Sequence, residues 1–247
     1  MRAGRGADTS LRIDWHLVAL PISQQLPMDD PISIFKQWLA NTLILRPVPS
    51  LARGESEPET LQPDTKVTNF GSWLYGLLSH APSSYNRIDE YLKQMMPDLL
   101  DIKNPLTGVE PRHVVVQFSA GPGRLTIRFD ELSDGEKCFM IYALAIAANE
   151  AYGPLLCFWD KPDNYLAPSE VGPSVMALRR AFRDSGQLIV TSHNPEAIRR
   201  FSDENTLVLF RNSHLEPTIV RPVEKIRAAG HLKGDIMNAL LRGDLGV

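Results

Sequence analysis

The sequence predicts an α/β fold in which a mostly parallel sheet is flanked by helices. Leu155 to Trp159 is a continuous apolar run that ends at Asp160, and Gln187 to Thr191 is a second run of the same kind. Runs of this length and composition are typical of strands covered on both faces, as in parallel sheets. Cys138 to Ala148 is almost wholly apolar and predicts a buried helix, which lies between a helix-capping signal at Ser133 and the strand that begins at Leu155. With Thr206 to Phe210, the two runs form the expected core of the sheet.

The first half of the chain alternates helical and strand patterns. We expect a strand within Leu11 to Ile22 that ends at Pro21, a helix over Ile32 to Asn41, a short strand over Thr42 to Leu45, an exposed loop over Pro49 to Lys66, helices over Phe70 to Leu78 and Ser84 to Met96, and a connection over Asp98 to Pro111. The helices are assigned from apolar residues at helical spacing, and the loop from its polar, proline-containing and aperiodic composition.

The second half begins with a hairpin and ends with a second one. The strands are expected over His113 to Phe118 and Arg124 to Phe129, joined by a turn at Ser119 to Gly123, then over Thr206 to Phe210 and Leu215 to Val220, and a last helix follows over Glu224 to Arg242. The glycines of the first turn favour a tight reversal. We divide the chain into a region of residues 1–111 and a core of residues 112–247.

Composition limits the classes of function. The 247 residues are 43% hydrophobic and 22% charged, as in a soluble globular protein, and no apolar run is long enough to span a membrane. A formal net charge of −3 gives no global case for nucleic-acid binding but leaves room for a local basic patch. Cys138 and Cys157 lie in apolar runs, so we expect reduced core residues of a cytoplasmic protein and no zinc site.

The segment Leu132-Ser133-Asp134-Gly135-Glu136-Lys137 precedes the apolar helix. Ser133 is a favourable N-cap and Glu136 completes a capping box, so the segment can be read simply as a well-capped core helix. It also resembles the ABC signature, Leu-Ser-Gly-Gly-Gln, and the Leu-Ser-Asp-Gly form of RecF-like ATPase heads. The resemblance implies that Ser133, Asp134 and Gly135 contact the γ-phosphate of a nucleotide held by the opposite subunit, which suits a helix N-terminus.

The second motif begins at Asp160. Alone, this residue could be a carboxylate that caps the turn after its strand. The following Lys-Pro-Asp-Asn-Tyr-Leu-Ala-Pro resembles Glu-Pro-Glu-Asn-His-Leu-His-Pro of RecF, SMC and OLD-like heads. The resemblance implies that Asp160 binds Mg²⁺ and that Asp163 and Asn164 belong to the D-loop, which lines the dimer interface.

Lys161 departs from this pattern, because the family has a water-activating glutamate there. An ammonium group cannot accept a proton, and the ordinary pKa of lysine is about 10.4. We therefore expect slow hydrolysis or none.

The third motif is Thr-Ser-His-Asn-Pro-Glu, which resembles Thr-Thr-His-Ser-Pro-Glu of RecF-like heads. A lone histidine after a strand is often structural. Here the resemblance implies that His193 is the switch histidine that contacts the γ-phosphate. Pro195 begins a helix on which Arg199 and Arg200 are expected to form a solvated face.

The resemblance extends roughly over Leu11 to Arg227 and identifies a P-loop NTPase head of the ABC/RecF class. The given sequence contains no Gly-x-x-x-x-Gly-Lys-Ser/Thr motif, so the N-terminal P-loop lobe is expected to be missing. Three explanations for the missing lobe are open: a truncated product, a split gene whose other product supplies the P-loop, or a degenerate head. The implied ligands are ATP and Mg²⁺, and the implied partner is a second copy or a P-loop-bearing chain.

The implied process is DNA repair or defence against phage and foreign DNA, with nucleic acid involved only indirectly. A non-catalytic subunit that acts in trans on a P-loop-bearing partner is the alternative. A nuclease is not supported, because no carboxylate cluster with metal-binding spacing is present.

Overall fold

The structure is a computed structural model that describes residues 20, 27–105, 111–201 and 203–228. The chain divides into two compact units, residues 1–40 and 41–247. The first unit contains the predicted helix, α1 (Pro31–Ala40), none of whose residues is buried. The strand predicted before Pro21 and the end of the last predicted helix lie outside the described residues.

The second unit alternates strands and helices. In chain order these are β1 (Leu43–Leu45), α2 (Phe70–His80), α3 (Ser84–Met95), β2 (Leu99–Lys103), β3 (Val115–Ala120), β4 (Gly123–Arg128), α4 (Asp134–Tyr152), β5 (Leu156–Asp160), α5 (Pro168–Arg183), β6 (Gln187–Thr191), α6 (Pro195–Arg200), β7 (Leu207–Phe210), β8 (Ile219–Pro222) and α7 (Val223–Ala228). The α/β class is therefore confirmed. Among the described helices, none is long and apolar enough to cross a membrane.

The parallel sheet has the strand order β1-β5-β6. The predicted strands at 155–159 and 187–191 are confirmed and pair directly. The third predicted member, residues 206–210, is wrong: β7 pairs instead with β8 in a separate antiparallel hairpin. Its only buried residue, Val208, packs against α7 in a small separate cluster, and the pairing of β7 with β8 agrees with the predicted closing hairpin. The third strand is β1.

One row of the parallel sheet is exposed. Ile44, Phe158 and Ile189 are aligned across the three strands, and these residues are 56%, 37% and 51% exposed. The adjacent rows, which face the other side, are buried or partly buried against the core. Among the described strands, none pairs with the outer edge of β6. Parallel sheets are normally covered on both faces, so this face is suited to a further partner.

The antiparallel sheet has the order β2-β3-β4. The predicted hairpin is confirmed, with the reversal between Ala120 and Gly123. The connection predicted over residues 98–111 is wrong in part, because it contains β2. A register irregularity between Leu99 and Asp101 breaks the regular alternation of buried and exposed residues that would have marked a strand.

Helix α4 is the centre of the core. Every residue from Lys137 to Asn149 is buried, as predicted for a helix that is apolar on all sides. Cys138 and Cys157 are buried free thiols, also as predicted. Burial, followed for Cys138 by the nearby charge of Asp134, raises the pKa of each thiol to about 12.

Asn149 joins the end of α4 to two neighbouring elements. Its side-chain nitrogen donates to the carbonyl oxygens of Ala181 (3.0 Å) and Ser185 (2.9 Å), and its Oδ1 accepts from the backbone N–H of Leu155 (2.9 Å). The side chain is 2% exposed. These bonds satisfy backbone groups just before β5 and β6 and so help to position both strands.

The loop predicted as exposed over residues 49–66 is partly buried. It lacks strands and long helices, but Ala52 and Ser56 have no exposed surface. The reason is a close approach to α2, where a Cβ atom at Gly71 would lie 2.3 Å from the carbonyl oxygen of Gly54. The glycine therefore lets the loop backbone lie directly on the helix.

Candidate functional site

The carboxyl ends of the parallel strands bring three polar side chains together. Asp160 ends β5, Thr191 ends β6 and Arg46 follows β1. The hydroxyl of Thr191 donates to Asp160 Oδ1 at 2.5 Å, and Arg46 Nε lies 3.4 Å from Asp160 Oδ2. Both carboxylate oxygens of Asp160 therefore have a protein partner. Carboxyl ends of parallel strands are where open α/β sheets bind ligands.

Lys161 begins the turn that leaves this edge. Its backbone N–H donates to the carbonyl oxygen and the hydroxyl of Thr191, both at 3.1 Å. Its φ is +52°, a left-handed conformation that costs a non-glycine residue about 1–2 kcal/mol. The structure thus places a half-buried lysine, held in a strained turn, directly after Asp160.

The residues predicted to form the D-loop have different environments. Asn164 is exposed, and its carbonyl oxygen lies 3.9 Å from Cys138 Sγ of α4. Asp163 is only 7% exposed, and its Oδ1 is a buried atom with no hydrogen-bond partner in the part of the chain that the structure describes. In this conformation the Asp163 carboxylate lies beneath the loop surface, which the sequence pattern could not indicate.

The signature segment forms the N-terminus of α4. The capping box is confirmed: Glu136 Oε2 accepts from the Ser133 N–H at 2.8 Å and from its hydroxyl at 2.7 Å, and the Glu136 N–H donates to Ser133 Oγ at 3.3 Å. Ser133 and Asp134 are exposed and Gly135 is half-buried. A Cβ at Gly135 would lie 3.3 Å from the carbonyl oxygen of Tyr165, so the helix N-terminus packs against the loop after β5.

The predicted switch histidine lies on the turn after β6. His193 is exposed. Its neighbours hold the turn, because Ser192 Oγ accepts from the Asn194 N–H at 2.9 Å and Asn194 Oδ1 caps α6 by accepting from the Glu196 N–H at 2.9 Å. The predicted helix after Pro195 is confirmed as α6. The fixed turn leaves the imidazole accessible near the same edge as Asp160.

These residues lie in two groups. The strand-end group consists of Arg46, Asp160, Lys161, Thr191 and His193. The signature group consists of Ser133, Asp134 and Gly135. Sequence reasoning missed Arg46 and Thr191. Their one signal was that each is a polar residue at the end of an apolar strand pattern.

The strand-end group is a poor fit for a divalent cation. Its single carboxylate, Asp160, already contacts Arg46 and Thr191, and Lys161 adds a second positive charge. Nowhere in the described ranges do three or more His, Cys, Asp or Glu side chains form a cluster able to hold a metal ion. Mg²⁺ prefers several oxygen ligands with negative charge. Binding of Mg²⁺ by Asp160 therefore stays a prediction from the resemblance.

Comparison with known proteins finds only partial structural likeness. No protein-family model and no curated protein sequence matches this chain. A Smc head domain with coiled coil and joint from Pyrococcus yayanosii is 13% identical, with a TM-score of 0.45; the match covers 66% of this chain and 31% of that one. A structure from work on ATP-driven dimerization of SMC ATPases is 15% identical, with a TM-score of 0.43 and coverage of 62% and 96%.

A Smc head bound to the C-terminal winged-helix domain of ScpA is 13% identical, with a TM-score of 0.46 and coverage of 65% and 47%. The chain thus spans about a third of the first of these structures and about half of this last one. At these TM-scores and identities the likeness supports no conclusion about function.

Proposed function

We propose that this chain is an ABC-type ATPase head that binds ATP and engages a second head when nucleotide is bound. The observation that carries the proposal is the convergence of Arg46, Asp160 and Thr191 at the carboxyl edge of the parallel sheet. Three strands that are far apart in sequence bring polar groups to one place where α/β sheets bind ligands. The motif order noted above suits ATP as the ligand.

The signature group supports the engagement of a partner. Ser133 and Asp134 are exposed at the N-terminus of a 19-residue helix, where the first N–H groups have no partner within the helix. Such a terminus favours a phosphate group. We therefore propose that Ser133 and Gly135 contact the γ-phosphate of nucleotide on the opposite subunit, which is a second copy or a P-loop-bearing chain.

Hydrolysis at this chain's own site is proposed to be slow or absent. On the resemblance, Lys161 stands where the family has a water-activating glutamate, and Asp160 is engaged with Arg46 and Thr191. Neither residue is therefore a suitable general base. The process coupled to head engagement, on the resemblance, is DNA repair or defence against foreign DNA.

A second candidate is a non-catalytic subunit that acts in trans. The exposed aligned row of Ile44, Phe158 and Ile189 favours this candidate, together with the edge of β6 that pairs with none of the described strands. Such a surface is expected to be covered by another chain. In this case the signature group would stimulate the partner's ATPase activity.

The test measures the mass of the purified chain by light scattering with ATP, with a non-hydrolysable analogue and without nucleotide. The head proposal predicts a nucleotide-dependent rise above 27.6 kDa that is lost in Ser133→Asn. If nucleotide changes nothing but the chain raises the ATP turnover of a P-loop-bearing partner head, the trans-acting candidate is supported. If neither effect is seen, both candidates are contradicted.

A second assay addresses hydrolysis by following phosphate release. We expect low turnover in the wild-type chain and a rise in Lys161→Glu, which restores a carboxylate after Asp160. Brisk wild-type turnover that Asp160→Ala abolishes would contradict impaired hydrolysis, because it would show that the strand-end group is already competent.

A further inference from the structure

The charge around Asp160 differs from what a magnesium-nucleotide site requires. Asp160 Oδ2 lies 3.4 Å from the Arg46 guanidinium, and Oδ1 accepts the Thr191 hydroxyl at 2.5 Å. Lys161 follows in sequence, so these side chains hold two formal positive charges and one negative charge. A divalent cation entering here would have to displace Arg46 from the carboxylate and would be repelled by Lys161.

Arg46 is free to turn toward a ligand. Its side chain is 76% exposed, whereas that of Asp160 is 30% exposed. An ion pair with so much contact with water contributes little to stability, so exchanging it for another anion costs little. A guanidinium group has several N–H donors in a planar fork that matches phosphate oxygens. The same side chain that neutralises Asp160 can therefore neutralise a phosphate.

We propose that the strand-end group binds the triphosphate of ATP without a divalent cation, with the Arg46 guanidinium supplying the counter-charge that Mg²⁺ would otherwise provide. This inference rests on the proposed function, because it names how that same site holds its nucleotide. Lys161 adds positive charge to the same edge. Asp160 then repels the phosphates and is restrained by Thr191, so it acts against binding rather than for it.

The proposal predicts an unusual dependence of ATP binding on Mg²⁺. Chelation by Mg²⁺ lowers the negative charge of ATP, so a site built from Arg46 and Lys161 is expected to bind free ATP at least as tightly as magnesium ATP. A site in which Asp160 holds Mg²⁺ predicts the reverse. Removal of the Asp160 charge also separates the two cases, because it strengthens binding of free ATP in the first and weakens magnesium-dependent binding in the second.

The experiment is isothermal titration calorimetry of the full chain with ATP, once in EDTA and once in excess Mg²⁺ at matched ionic strength. The variants are Arg46→Ala, Arg46→Lys and Asp160→Asn. Arg53→Ala is the matched control, since Arg53 is also exposed (58%) and lies 3.7 Å from a carboxylate, Asp130. Thermal melts of all variants check that the fold is intact.

We expect wild-type binding in EDTA to be no weaker than in Mg²⁺. Arg46→Ala should weaken binding in EDTA by about tenfold or more, the effect of losing one charge-assisted hydrogen bond, and Arg46→Lys should retain part of it. Asp160→Asn should strengthen binding in EDTA, and Arg53→Ala should leave it unchanged.

Two results would overturn the inference. If Mg²⁺ tightens binding at least tenfold and Arg46→Ala has no effect, the site needs the metal, and the proposed function stands without this inference. If no ATP binds in either buffer, both the inference and the proposal that the chain holds its own nucleotide are wrong.

Discussion

Ser133 has two roles in this account, and they can be separated experimentally. Its hydroxyl donates to Glu136 Oε2 at 2.7 Å and accepts from the Glu136 N–H at 3.3 Å, so it caps the central helix α4. The proposed function also assigns the hydroxyl to a phosphate on a partner head. Ser133→Ala removes both roles, whereas Ser133→Asn retains a side-chain acceptor for the cap but has no hydroxyl.

The expected magnitudes follow from the capping geometry. Replacing a serine N-cap by alanine costs about 1 kcal/mol of folding free energy, and asparagine is an equally good cap. For a domain of this size, 1 kcal/mol lowers Tm by roughly 2–4 °C. We therefore expect Ser133→Ala to melt a few degrees below the wild type, and Ser133→Asn and Ser133→Thr to melt close to it.

The assay compares Tm from calorimetry with nucleotide-dependent association from light scattering. Association should be lost in both Ser133→Ala and Ser133→Asn and retained in Ser133→Thr, although only the alanine variant is less stable. If Ser133→Asn restores association together with stability, Ser133 is only a helix cap and its assignment to phosphate binding is wrong.

Three further predictions concern the core, the buried thiols and the exposed sheet face. Asn149→Ala removes three hydrogen bonds to backbone groups, of which the Leu155 N–H is buried, and should lower the free energy of unfolding by about 3 kcal/mol in urea titrations; a loss below about 1 kcal/mol would contradict its structural role. Burial raises the pKa of Cys138 and Cys157 from 9.0 to about 12, so unfolded thiols release protons between those pH values while folded thiols keep them. The free energy of unfolding should therefore fall as pH rises through this window, which Tm at successive pH values measures. The fall should be shallower in the variant with both cysteines replaced by alanine; an equal fall of Tm with pH in the two proteins would show that the buried thiols do not cause it. Ile189→Lys should reduce self-association and binding of a hydrophobic dye without lowering Tm. Leu209→Lys, at a residue that is 64% exposed on the separate hairpin, should change neither; equal effects of the two substitutions would show that the exposed face of the parallel sheet is not a docking surface.

Local patterns predict much of this fold because several elements carry their own signals. The strands β5 and β6 are short apolar runs, and α4 has both a capping box and a continuous apolar sequence, so no distant contact is needed to identify them. The place of β1 in the parallel sheet could not be predicted, because a three-residue strand has too little sequence to indicate its partner. The pairing of β7 with β8 follows the predicted hairpin, but its separation from the parallel sheet could not be predicted, because it depends on contacts with α7.

The candidate site likewise contains residues that the sequence predicts and contacts that it does not. Asp160, Lys161 and the signature group follow from motif spacing within short segments. The contact between Arg46 and Asp160 joins residues 114 positions apart in the chain, counted from 46 to 160, and exists only once β1 and β5 have paired in parallel. The burial of Asp163 likewise depends on the packing of the D-loop against the core, and the family pattern alone places it at a dimer interface.

The most direct test of the nucleotide-head account is hydrogen–deuterium exchange of the full chain with and without ATP. We expect slower exchange in residues 160–165 and 191–194, where the nucleotide is proposed to bind, and in residues 133–136 when a second head engages. Protection confined to other segments, or none at saturating ATP, would contradict the claim that the carboxyl edge of the parallel sheet is a nucleotide site.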